Sequence, residues 1–155
     1  MVAQKHRYLL IEVIFRGGTK VPVFADTELL QAIKESVASN WGDFGEASNP
    51  YLKFIYWSQP VYLGILRCPR HAAEKVWTAV TMTKSLQGRE VQLRVHYSRG
   101  TIRCAKADAT QLLRTWSQRA VERTTTAMEA KSVKEAFAAE EKLLSEVNRH
   151  GYLEG

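Results

Sequence analysis

Hydrophobic and polar positions along the chain change period in a regular order. From Lys5 to Arg16 the period is two: Leu9, Ile11, Val13 and Phe15 share one face of an extended segment, and His6, Tyr8, Leu10, Glu12 and Ile14 share the other. "RGGTKVPVF", with two glycines and a proline, predicts a loop. Leu29, Ile33, Val37 and Trp41 then recur every four residues, which predicts a helix with one apolar stripe. Asp26 is its expected N-cap, Glu28 suits the positive end of its dipole, and Gly42 is the expected stop.

"YLKFIYWS" and "VYLGILRC" flank Gln59-Pro60 and predict a hairpin of two strands. A second helix is expected from Pro69, burying Ala73, Val76, Trp77 and Val80, with Gly88 in the turn after it. "REVQLRVHYS" alternates again, Val91, Leu93, Val95 and Tyr97 against Gln92, Arg94 and His96. The resulting order is the split βαβ of RRM and ferredoxin-like folds. The expected fold class is therefore α/β, an α+β sandwich: a four-stranded antiparallel βαββαβ sheet, both helices on one face, with additional C-terminal helices.

The first additional helix carries Ala105, Ala109, Leu112, Leu113, Trp116 and Ala120 on one side. The second is expected to start at Ser132, whose spacing to Glu135 fits a capping box, and to run through Val133, Phe137, Leu144 and Val147. "ERTTTAMEAK" between them reads as a polar linker. The chain thus divides into an RRM-like domain over 1–120 and a linker with an amphipathic helix over 121–155. The open face of the sheet would carry Leu10, Ile14, Tyr62 and Leu66 beside His6, Tyr8, Glu12 and Arg94. So apolar a surface needs a cover: the C-terminal helices, a partner protein, or stacked RNA bases. Leu10, Ile14, Tyr62, Leu66 and Trp116 are the candidate protein-interface residues.

Composition adds one sharp fact. Lys and Arg total 22 against 16 acids, a net charge of +6, and the pI is near 9.4. That balance favours polyanionic partners, because contacts to phosphate release condensed counterions. No apolar run approaches the roughly 20 residues that span a bilayer, and "MVAQKHRYLL" lacks a secretory pattern, so neither membrane insertion nor export is expected. Two cysteines, Cys68 and Cys104, fit reduced thiols in an intracellular compartment.

Several chemistries find little support. RRM domains stack bases on paired aromatics, but "VYLGILRC" has only Gly64 of the usual basic-Gly-aromatic motif, which leaves Tyr8 and Tyr62 as stackers. Cys68, His71, His96 and Cys104 lack the repeated short spacing of a zinc site. His6, Glu12 and His96 share a face without a nucleophile elbow or phosphate-cradling loop, so acid–base catalysis is not expected. The cations fare better. Arg103, Lys106 and Arg114 fall on one flank of the third helix. Arg99, Gly100 and Thr101 stand at its entrance, where backbone N–H groups and the dipole welcome phosphate. Lys5, His6 and Arg7 open the first strand, and Arg67 and Arg70 bracket the exit of the third.

"KHRYLL", "WGDFG", "GILRC" with a following Arg, "VWTA" and "RGTIRC" occur in that order along the chain. From about Met1 to Trp116 the chain resembles the family of small RRM-like protein subunits of ribonuclease P and RNase MRP (processing-of-precursors protein five). The resemblance implies a non-catalytic subunit that binds and stabilises a catalytic RNA. The RNA, with Mg²⁺ on it and no cofactor on the protein, would remove 5′ leaders from precursor tRNA and process rRNA. It further implies a TIM-barrel-like ribonuclease P protein subunit, a smaller related RRM-like subunit and a large scaffold subunit as partners. Precursor tRNA would be met indirectly and a membrane not at all. Nucleus and nucleolus are the expected location in a eukaryote, the cytoplasm otherwise. The RNA contacts would be Lys5, His6, Arg7, Tyr8, Arg67, Arg70, Arg99, Gly100, Thr101, Arg103, Lys106 and Arg114. Three rivals stand beside this reading: a stand-alone RRM-like module for single-stranded RNA, a small ferredoxin-like enzyme, and a protein-only adaptor.

Overall fold

A computed structural model describes residues 5–17, 23–47 and 49–147. In chain order it contains β1 (His6–Phe15), α1 (Asp26–Glu46), β2 (Lys53–Ser58), β3 (Leu63–Pro69), α2 (Ala73–Met82), β4 (Ser85–Leu86), β5 (Arg89–Arg99), α3 (Ile102–Glu122) and α4 (Ala127–Ser145). The strands form one antiparallel sheet in the order β2-β3-β1-β5-β4. The four long strands hold the order of a split βαβ; the two-residue β4 is an addition at the rim. The expected loop after β1 falls partly on 18–22, and the chain from 148 onward likewise lies outside the described residues.

The sheet is covered on both faces. Leu9, Ile11 and Val13 of β1, Leu66 and Cys68 of β3, and Val91 and Leu93 of β5 pack with Leu29, Ile33 and Val37 of α1 and Val76, Ala79 and Val80 of α2. On the opposite face Tyr8, Leu10, Ile55, Tyr56, Leu63 and Ile65 meet Ala105, Ala109 and Leu113 of α3 and Leu144 of α4. This explains "YLLI" in β1: a strand buried on both sides reads as a continuous apolar run. At about 1.5–3 kcal/mol for each fully buried large apolar side chain, the second core is part of the fold itself.

The cover for the open face is therefore the chain's own. Leu10 is 1% exposed and Leu66 is fully buried, so neither can face a partner. Leu66 and Tyr62 also lie on the α1–α2 side, where Tyr62 stacks on Phe24 with centroids 5.6 Å apart. Leu63 and Ile65 hold the positions expected for them. Ile14 is partly buried, and Trp116 of α3 packs edge-on against His96.

Helix ends differ from expectation for local reasons. Ala25 is the N-cap of α1, with its N–H donating to the Glu28 carboxylate at 3.2 Å, and Asp26 is the first helical residue. Gly42 does not stop α1. Its φ of 58° and ψ of −145° kink the helix, which runs on to Glu46. Pro69 ends β3 and a single 3₁₀ turn, Arg70–Ala72, precedes α2. Trp77 is 40% exposed, and Ala79 takes its expected place in the core. Thr126, not Ser132, caps α4: its hydroxyl accepts from the Glu129 N–H at 3.3 Å, and Ser132 lies inside the helix. The expected polar linker is thus mostly helix, and α4 folds back on α3.

Candidate nucleic-acid interface

Antiparallel pairing gathers at one end of the sheet cations that are some sixty to ninety residues apart in sequence. In β1, His6 lies opposite Pro69, Arg7 opposite Cys68 and Tyr8 opposite Arg67. On its other side Tyr8 lies opposite Arg99, the last residue of β5. The Arg70 N–H donates to the Lys5 carbonyl at 2.9 Å and ties these ends together. Gly100 sits against the Arg7 guanidinium, where a Cβ would collide with Nη1. Thr101 caps α3, its hydroxyl accepting from the Cys104 N–H at 3.3 Å. Arg103 is exposed in the first turn.

A bulge in β5 sets which way Arg99 points. Val95 pairs with Ile11 but Tyr97 pairs with Leu10, so His96 is the extra residue. The slip turns Tyr97 and Arg99 from the α1–α2 side to the α3 side. There the Arg99 Nε donates to the Asp108 carboxylate at 2.6 Å, and the guanidinium lies 5.2 Å from the Tyr97 ring centroid. His96 itself bonds Glu12 at 2.7 Å beneath Trp116.

Electrostatics follow from this crowding. Burial, then the Arg67 charge, lowers the His6 pKa, with the Cys68 backbone opposing. Burial pushes the Cys68 thiol up to about 12, against the pull of Arg7.

The structure therefore brings together Lys5, His6, Arg7, Arg67, Arg70, Arg99, Gly100, Thr101 and Arg103. Tyr8 belongs to the row, between Arg67 and Arg99, but is 7% exposed in the α3–α4 core and offers no ring for stacking. Lys106 and Arg114, expected at the RNA, lie further along α3 and also have partners within the chain. Lys106 Nζ donates to the carbonyls of Ser145 and Val147, both at 2.9 Å, and Arg114 pairs with Glu141 at 3.4 Å. Both hold α3 to α4. The residue missed in the sequence is Lys53, exposed on β2 and opposite Arg67. Only the hairpin register places it there.

His6, Glu12 and His96 do not form one group: six residues of strand, about 20 Å, separate His6 from Glu12. Among the described residues no three His, Cys, Asp or Glu side chains converge to hold a metal.

Residues 7–110 match the model of the Rpp14/Pop5 family, over half of the chain. The chain belongs to the Rpp14/Pop5 family. A probable ribonuclease P/MRP protein subunit POP5 of Dictyostelium discoideum is 34% identical over 109 residues, 69% of this chain and 64% of that protein. The ribonuclease P/MRP protein subunit POP5 of Schizosaccharomyces pombe is 33% identical over 121 residues, 70% of this chain and 86% of that one. A chain in the cryo-EM structure of yeast ribonuclease MRP shares the fold, with a TM-score of 0.55 at 11% identity over 92% of this chain and 95% of that one. The Rpp14/Pop5 match takes in the cationic end from Arg7 to Arg103 and stops inside α3, so α4 lies beyond it.

Proposed function

We propose that the chain is a protein subunit of a ribonucleoprotein of the ribonuclease P and RNase MRP type, and that the cationic end of its sheet grips the phosphodiester backbone of the RNA. One observation carries this reading: strand pairing sets Arg7, Arg67, Arg70 and Arg99 at one end of the sheet, the end from which Gly100 and the N-terminus of α3, with Arg103, continue. A backbone grip needs positive charge and N–H donors at close approach, and asks nothing of base identity. The names of the POP5 relatives support the choice of complex.

In this role the protein cuts nothing. Bond-breaking belongs to the RNA, with Mg²⁺ on its phosphates supplying charge stabilisation. The chain's own part is to brace the RNA fold while precursor tRNA loses its 5′ leader or rRNA is processed. A TIM-barrel-like subunit, a smaller related RRM-like subunit and a large scaffold subunit complete the assembly, in nucleus and nucleolus where the cell has them. The stand-alone base-stacking alternative loses both stackers expected for it, since Tyr8 is buried and Tyr62 packs in an aromatic cluster.

The test is to purify the tagged chain from its own cells and sequence the RNA that accompanies it. A structured noncoding RNA is expected. Recovery of no such RNA, or precursor-tRNA cleavage by the pure RNA-free chain, overturns the proposal.

A further inference from the structure

The pairing registers draw a straight line across the sheet. Lys53 of β2 lies opposite Arg67 of β3, Arg67 opposite Tyr8 of β1, and Tyr8 opposite Arg99 of β5. All four are on the α3–α4 side. Leu66 and Cys68, which flank Arg67, point into the α1–α2 core, as does Phe54 beside Lys53. Neighbouring strands are about 4.8 Å apart, so the line spans roughly 14 Å from β5 to the outer edge of β2. Its one uncharged step is the buried Tyr8.

The line continues into the α3 entrance through Arg99, whose carboxylate partner Asp108 fixes it without burying it; the Arg99 side chain is 45% exposed. At its other end Lys53 is exposed. A row of one sign, fixed in spacing by backbone pairing, fits a partner with charge repeated along its length.

We infer that Lys53 is the far end of a phosphate track on which an RNA backbone crosses the sheet from the N-terminus of α3 to the edge of β2. The inference rests on the RNA-binding reading above and extends it to a strand from which sequence reasoning drew no contact. Each cation on the track displaces counterions, so its removal is read in the salt dependence of binding.

The test uses the full chain and a transcript of a ribonuclease P-type RNA, titrated over a salt series. Lys53→Gln is expected to weaken binding and to lower the slope of log K against log salt by about one. Lys53→Arg should keep both, and Lys84→Gln, just before β4 and beside Val91 far from Arg99, should change neither. If Lys53→Gln binds like the wild type while Arg103→Gln shows the loss, the track ends before β2 and the inference is overturned with the RNA reading intact. If neither variant alters binding, both fall. If Lys53→Gln loses polyglutamate but keeps RNA, the edge of β2 serves an acidic protein segment and the inference is overturned.

Discussion

Arg99 reaches from the last position of β5 to Asp108, two turns into α3, and grips its carboxylate through Nε at 2.6 Å and Nη2 at 3.3 Å. This fork fixes the angle between strand and helix and aims a permanent charge at the rim of the sheet. An exposed pair of this kind adds little to stability, because solvent screens it. Replacing Arg99 and Arg103 by Ala should therefore leave a folded protein with nearly unchanged thermal stability. RNA binding should weaken, and the salt slope should fall by about one for each lost contact. Unchanged affinity and slope would remove the α3 entrance from the interface.

Gly100 supplies a subtler probe. Its backbone is acceptable to alanine, but the added methyl would take the place of the Arg7 Nη1. The far end of an arginine moves cheaply, so Gly100→Ala should cost no more than about 0.5 kcal/mol of stability, as for a surface change. Its effect should fall on RNA affinity, because Arg7 is displaced from the cluster. Equal affinity in a salt titration would mean that Arg7 does not touch phosphate.

Leu113 is fully buried between α3 and the sheet. Leu113→Ala should cost about 2–5 kcal/mol in chemical denaturation, as a cavity in a packed core does. Deleting residues 127–155, and α4 with them, should uncover apolar residues around Ile55, Leu63 and Ile65. The shortened chain should then self-associate in sedimentation while the full chain stays monomeric. A monodisperse truncation would show that α3 alone seals that face.

His6 titrates below the usual 6.5 because burial, then Arg67, disfavours its charged form. Above 6.5 the folded and unfolded chains both carry it neutral, and its contribution is complete. As pH falls through 6.5 the unfolded chain takes up the proton first, so stability declines until the folded histidine also titrates. Phosphate beside His6 has the opposite preference. RNA affinity should therefore rise as pH drops below neutrality, and His6→Gln should flatten that rise. A pH profile identical in the variant would place His6 away from the RNA.

The two cysteines should separate cleanly under alkylation. Cys104 is exposed on α3, whereas Cys68 is buried with its thiol pushed up to about 12. The thiolate is the reactive form. Mass spectrometry should record one adduct on the native protein and two in denaturant. Two rapid native adducts would show that the end of β3 opens readily.

Sequence reading recovered the strand order because alternation and four-residue spacing are local signals. It failed where a distant partner decides. The bulge at His96 turns Tyr97 and Arg99 to the other face, which simple alternation cannot reveal. The register of the β2–β3 hairpin decides between Leu66 and Ile65 for the α3 side. Thr126 and Ser132 each precede a glutamate by three residues, so composition could not choose the cap of α4. The partners of Lys106 and Arg114 lie far along the chain, on and just after α4, where no local pattern points to them.

With helices laid over both sides of the sheet, most of its apolar side chains among the described residues are already taken. The cations gather instead at the perimeter, where strands finish and loops begin. Such a body works as a keystone does: its interior resists compression while its margin meets whatever is wedged against it. Charge substitutions around that perimeter would yield a sound, soluble protein that can no longer find its place in a larger assembly.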